Sequence, residues 1–255
     1  MKVRILGCSG GIGGKSQRTT SFLVDDDILV DAGTGVADLS IDELVKIDHV
    51  FLTHSHLDHI ACLPLLIDTA GDMRQQPLIV HALDATLELL RNHIFNWAIW
   101  PDFCQIPSED APFLRYQSLR VGERLELDGR RFTALPANHT VPAVGYHLDS
   151  GAASLVFTGD TGPCPELWRA VNKIQNLRHL IVETAFSNRE RELAEVSLHL
   201  CPSMLAEELI NLQRETEIFI THLKPGQSEL MMQEVLDVLA KLAPRMLENN
   251  QVFEL

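Results

Sequence analysis

Basic residues are in short supply in this chain. Its 21 lysines and arginines stand against 35 aspartates and glutamates, a formal net charge of −14. DNA or tRNA would meet a repulsive field, so a nucleic-acid partner is not expected. Long apolar runs are missing too. None approaches the ~18 residues that suggest a membrane span, and the stretch after Met1-Lys2 is too short for a secretory signal. No membrane association is expected. The five cysteines form no CxxC pair, which suits a reducing cytosol rather than a disulfide framework and points to a cytoplasmic protein. Tyrosine is reduced to two residues, whereas histidine reaches eleven. The remaining composition, 45% hydrophobic and 22% charged over 255 residues, excludes disordered and coiled-coil classes and fits one domain spanning residues 1–255.

Short β-branched runs between Gly- and Asp-rich turns predict strands over 3–6, 21–24, 28–30, 49–53, 78–81, 131–135, 143–148, 154–158, 180–182 and 217–220. Helices are predicted over 57–69 (with Pro64 at a kink or a start), 84–93 (with Asp84 as cap), 165–173, 202–213 and 228–241. Strands and helices alternate, but hairpin-like neighbours occur as well. The expected class is α/β with mixed sheets.

The segment Thr53-His54-Ser55-His56-Leu57-Asp58-His59 packs three imidazoles and a carboxylate into six positions directly after an apolar strand. His54 and His56 are two apart in extended chain, so their rings can point the same way. Imidazole with carboxylate suits Zn²⁺ or a similar first-row divalent ion. His139, Asp160 and His222 each follow another apolar strand. Ligand-type residues therefore lie past the C-terminal ends of four strands, where open α/β sheets place their sites. Jointly they supply enough donors for two ions. Glu183 follows a further strand, and His199 precedes a helix. A carboxylate bonded to an imidazole keeps it oriented and protonated, as a general acid requires.

This pattern resembles the metallo-β-lactamase superfamily, whose fold is an αββα sandwich of two mixed β-sheets flanked by helices. The resemblance covers the whole chain. It implies that His54, His56 and His139 hold one metal ion, that Asp58, His59 and His222 hold the second, and that Asp160 bridges them. The ions would be Zn²⁺, with Mn²⁺ or Fe²⁺ as alternatives. Within the superfamily, His54-Ser55-His56-Leu57-Asp58-His59-Ile60, His93-Ile94-Phe95-Asn96-Trp97, Ser197-Leu198-His199-Leu200-Cys201-Pro202 and His222-Leu223-Lys224-Pro225 look like the class II cyclic-nucleotide phosphodiesterases of the ribonuclease Z-like branch. Cys201 departs from that pattern, standing where threonine is usual. The resemblance implies hydrolysis of 3′,5′-cyclic nucleotides (cAMP or cGMP) to 5′-monophosphates by a hydroxide held between the ions. Asp58, Glu183 and His199 would be the catalytic residues, with His199 as general acid and Lys224 on a phosphate oxygen. The substrate would be a small phosphodiester and the protein a homodimer. The alternatives are a ribonuclease Z-like tRNA 3′-processing endonuclease, which the acidic charge disfavours, and another phosphodiesterase of this fold.

Three further features are read from the residues. The glycine-rich segment Gly7-Cys8-Ser9-Gly10-Gly11-Ile12-Gly13-Gly14 lacks the ending of a phosphate-binding loop and reads as a strand-to-strand connection at the rim of the site. Phe95, Trp97, Trp100 and Phe103 read as core or interface rather than as a stacking surface. Asn138 reads as a support for His139, and His49, His81, His93, His147 and His179 as structural.

Overall fold

The computed structural model describes residues 1–14 and 16–255. In the first half, β1 (Lys2–Gly7), β2 (Ser21–Val24), β3 (Ile28–Val30), β4 (His49–Phe51), β5 (Leu78–Leu83) and β6 (Leu114–Leu119) lie side by side. In the second, β7 (Arg124–Leu127), β8 (Arg130–Pro136), β9 (Val144–Asp149), β10 (Ser154–Phe157), β11 (Leu177–Glu183), β12 (Glu217–Thr221) and β13 (Arg245–Met246) follow one another across another sheet. The last strand, β14 (Val252–Glu254), returns to pair with β1, so each sheet has seven strands. Both sheets are mixed. β3 to β6 run parallel, as do β10 to β13, and the remaining pairs are antiparallel.

The sheets face each other across an apolar layer. Phe22 of one meets Phe157 of the other with ring centroids 4.7 Å apart, and Phe51 stacks on Phe132 at 4.5 Å. Each such buried ring contributes about 1.5–3 kcal/mol relative to exposure, which makes this layer the rigid floor of the molecule. Helices cover the outer faces. α1 (Ile41–Leu44), α2 (Leu57–Ile60), α3 (Leu63–Ala70) and α4 (Asp84–Leu89) belong to the first sheet's side. α5 (Pro165–Val171), α6 (Arg191–Ser197), α7 (Pro202–Leu209) and α8 (Ser228–Leu239) belong to the second's. The result is the expected αββα sandwich. Among the described residues, no helix is long and apolar enough to cross a membrane.

Several elements differ from the sequence reading. The helix expected over 57–69 breaks at Cys62 into α2 and α3, because Pro64 sits in the first turn of α3 and lacks the N–H a continuous helix would need. Asp84 is not a cap. Leu83 holds that position, Asp84 lies in the first turn, and α4 continues as a π-helical turn over Leu90–Ile94. The sequence reading has no counterpart for α1, α6, β6, β7, β13 or β14.

Candidate metal centre

The strands converge on one edge of the sandwich. β8, β10, β11 and β12 point the same way, and His139, Asp160, Glu183 and His222 stand at or just beyond their C-terminal ends. Across from them, β4 ends at Phe51 and leads into Thr53 and the histidine-rich turn. The two sheets are clamped directly beneath. Tyr146 Oη donates to the Leu52 carbonyl at 2.8 Å, and the Val144 N–H donates to the Thr53 carbonyl at 3.0 Å.

The seven residues expected as metal ligands are brought together there. One ring nitrogen each of His54, His56 and His139 forms a first group, and Asp58, His59, Asp160 and His222 a second, with donor atoms inside a group within 4.8 Å of one another. His56 Nδ1 lies 3.2 Å from His139 Nε2. Asp160 Oδ2 is 3.7 Å from His54 Nε2 and 3.3 Å from His59 Nε2, and its Oδ1 is 3.3 Å from His222 Nδ1, so this carboxylate stands between the groups. Asp58 Oδ2 is 3.7 Å from both His59 Nε2 and His222 Nε2.

The hydrogen bonding of these atoms tests whether divalent ions suit them. His54 Nε2, His59 Nε2, His222 Nδ1 and Asp160 Oδ1 are buried with no hydrogen-bond partner among the described residues. An unmet buried polar atom costs about 1–3 kcal/mol, so several converging on one spot call for a shared cation. The far ring nitrogens of His54, His59 and His139 are met. His59 Nδ1 donates to Asp31 Oδ2 at 2.7 Å, and His139 Nδ1 to the Leu198 carbonyl at 3.0 Å. His54 Nδ1 lies 3.0 Å from Thr53 Oγ1, which itself donates to Asp31 Oδ2 at 2.8 Å. Because a carboxylate or carbonyl only accepts, these contacts place a proton on Nδ1 of His59 and His139 and leave Nε2 as the atom turned toward the donor groups. Burial and neighbouring charges shift these groups in different directions. Burial, with neighbouring imidazoles adding to it, pushes His54 well below its usual range, and burial brings His222 down to about 4. Burial opposes ionisation of Asp160, but the facing His222 and His59 outweigh it and hold the carboxyl well below the ordinary value. His59 goes the other way: burial opposes its charge, but Asp160 and Asp31 outweigh it and hold the ring well above the usual value, so an ion binding at Nε2 would displace a proton there.

Backbone strain gathers here as well. Asp31, Leu198 and His222 take left-handed conformations with φ of +58°, +53° and +63°. Leu198 ends α6, and that conformation turns its carbonyl onto His139 while placing His199 next in the chain. Gly10 shows why the glycine-rich segment is glycine-rich, since a Cβ there would stand 2.4 Å from the His222 carbonyl oxygen. That segment does line the rim.

Glu183 is fully buried, and a bare carboxylate in that position would cost several kcal/mol. Three donors offset the cost: His199 Nδ1 at 2.8 Å, the Thr161 N–H at 3.1 Å and the Leu200 N–H at 3.3 Å. Burial pushes His199 down, but the Glu183 carboxylate outweighs it and the net direction is up. The His199 ring lies 4.8 Å from that of His139 and 5.3 Å from that of His222, centroid to centroid. Lys224 Nζ donates to the Gly10 carbonyl at 3.3 Å and sits 5.4 Å over the Phe186 ring, on the His199 side of the site. Asn138 does not support His139. Its side chain donates to the Pro163 carbonyl at 3.0 Å and its backbone N–H to Thr161 Oγ1 at 2.9 Å. The residue missed from the sequence is Asp31, which holds His59 directly and His54 through Thr53. Its only signal was an aspartate following an apolar strand, the same signal that marks Asp160.

The family model described as the beta-lactamase superfamily domain matches residues 26–245. A probable 3′,5′-cyclic-nucleotide phosphodiesterase of Yersinia pestis is 28% identical over 207 residues, covering 71% of this chain and 58% of that protein. The chain thus accounts for little more than half the length of that relative. A 3′,5′-cyclic-nucleotide phosphodiesterase of Aliivibrio fischeri is 26% identical across 86% of this chain and 80% of its own length. Among solved structures, unliganded yeast PDE1 superposes with a TM-score of 0.82 at 18% identity, covering 100% of this chain and 99% of that one, a likeness of fold.

Proposed function

The chain belongs to the beta-lactamase superfamily, and from that membership we propose that it is a dinuclear metal phosphodiesterase that opens 3′,5′-cyclic nucleotides to nucleoside 5′-monophosphates. The observation that carries this reading is the Glu183–His199 pair, 2.8 Å apart and set against the donor groups. A separately held, protonated imidazole serves a reaction that expels a poor leaving group, and a ribose alkoxide is one.

In this reading His54, His56 and His139 would hold one ion and Asp58, His59 and His222 the other, with Asp160 placed to serve both. Zinc fits the donor set, and manganese or iron would also be accepted. Bound there, such ions supply Lewis acidity, polarising the phosphoryl oxygens and acidifying a water to serve as nucleophile. The chain supplies the rest. Glu183 pins His199 Nδ1–H, so Nε2 is the atom that delivers a proton to the departing 3′-oxygen. Lys224, tethered to the Gly10 carbonyl, has N–H donors to spare for a phosphate oxygen. Asp31 and Leu198 hold the imidazoles against rotation when substrate enters. The substrate is a small diester rather than a folded RNA, in keeping with the net charge of −14.

The test is product identity. Metal-loaded protein is incubated with cAMP and with cGMP, and the products are separated by chromatography. Metal-dependent release of the 5′-monophosphate is expected. A 3′-monophosphate would mean that the wrong oxygen had been assigned to leave, and turnover of bis(p-nitrophenyl) phosphate alone would remove the cyclic nucleotides.

A further inference from the structure

The histidine-rich turn has a second side. Ser55 and Leu57, which alternate with His54, His56 and Asp58, line a recess of about 120 Å³ whose walls include Ile60, Leu89 and Ile94, with His93 exposed beside them. Leu57 is 68% exposed although it lies between two residues of the metal centre. The chain then leaves Ile94 for the aromatic segment, and the aromatics part company. Phe95 and Phe103 enter the core beneath α4 and Trp100 packs half-buried against it, whereas Trp97 and its neighbour Ile99 are 61% and 65% exposed.

Trp97 has a left-handed backbone, with φ of +65°, which costs a bulky residue about 1–3 kcal/mol. The turn enforces it several times over. Asn96 Oδ1 accepts from the N–H groups of Ala98 and Ile99 at 3.0 and 2.9 Å. The Trp97 N–H donates to the Trp100 carbonyl at 2.9 Å, and the Trp100 N–H to the Ile94 carbonyl at 2.9 Å, which ties the turn to a wall of the recess. Core packing does not account for this arrangement, because the strained residue's ring is left in solvent. A rigidly held, exposed indole on a turn tied through Ile94 to an apolar recess has the properties of a stacking platform for a planar group.

We propose that the recess and the Trp97 turn receive the planar aromatic group carried by the diester away from its scissile bond, a nucleobase or another aryl substituent. The proposal rests on the phosphodiesterase reading and names the part of the substrate that this surface selects. Leu57 and Ile94 supply apolar contact, and Trp97 supplies the stacking face.

Bis(p-nitrophenyl) phosphate and methyl p-nitrophenyl phosphate test it, since they share a leaving group and differ only in the second ester substituent. In metal-loaded protein, Trp97→Ala lowers kcat/KM for the aryl diester about tenfold, through KM, and leaves the methyl diester unchanged; Trp97→Phe restores most of the loss. Equal losses on both substrates, or no loss on either, would overturn the proposal. A wild-type protein that hydrolyses neither diester contradicts the phosphodiesterase reading instead. Quenching of tryptophan fluorescence by bis(p-nitrophenyl) phosphate then decides the recess separately. Saturable quenching that Trp97→Ala abolishes supports the platform, and its absence rules the platform out.

Discussion

Asp31 Oδ2 accepts the Nδ1–H of His59 at 2.7 Å, deep beneath the donor groups and out of contact with solvent. The same oxygen accepts from Thr53 Oγ1, and Asp31 Oδ1 accepts from the Thr53 N–H. One carboxylate therefore positions imidazoles that this account assigns to both ions. Replacing it as Asp31→Asn removes the charge and leaves one acceptor oxygen for three donors. Metal affinity should fall about 10- to 100-fold, the usual cost of losing such a support, as read by competition with a chelator of known affinity. Affinity equal to the wild type would show that the imidazoles are held by other means.

Glu183→Gln keeps the shape of the buried pair and removes the charge that holds His199 up. The His199 pKa then falls. A general acid works only while protonated, so the alkaline limb of the pH profile of kcat on a cyclic nucleotide should move to lower pH. An alkaline limb that stays in place would detach it from His199.

Stability carries its own pH signature, away from the metal centre. His81 stacks on Phe51 with centroids 4.4 Å apart, and its Nε2 lies 2.9 Å from His49 Nδ1. Burial, reinforced by His49, brings its pKa down from 6.5 to about 3. Between those values the unfolded chain binds the proton and the folded chain does not. Stability contributed by the neutral ring is therefore intact above pH 6.5 and is lost on acidification toward pH 3. From neutral pH to pH 5 the loss is about 2 kcal/mol. Urea unfolding of metal-loaded wild type and His81→Leu across that range checks it. The variant should lack that part of the slope, and parallel curves would contradict the assignment.

What could be read in the sequence follows what local chemistry makes unusual. Three histidines and an aspartate within six residues, directly after Val50-Phe51-Leu52, have no ordinary structural use, so that turn announced itself. His139, Asp160 and His222 were legible through their shared place after apolar strands. Asp31 has the same placement but lies in an Asp-Ala-Gly turn, where turn chemistry is a sufficient explanation; only the folded chain brings His59 onto it. Asn138 failed the other way, since adjacency to His139 in sequence did not aim its side chain there. α6 carries Arg191, Glu192 and Glu195 with a single buried residue, Ala194, and so lacks an apolar stripe. β6 mixes Arg115, Gln117 and Ser118 among its apolar residues, which hides its period. In the aromatic segment, the left-handed turn at Trp97 separates one exposed ring from the buried ones, and spacing alone could not show that.

The most direct test of the central claim is the effect of the leaving group on His199→Ala. With metal content matched to the wild type, kcat is measured on cAMP, which expels an alkoxide, and on bis(p-nitrophenyl) phosphate, which expels a stable phenolate. The account predicts a loss of about 10²–10⁴ on cAMP and a far smaller one on the aryl diester. Equal losses on the two substrates would contradict the assignment of His199 as the acid and, with it, the reading of the Glu183–His199 pair on which the proposed function rests.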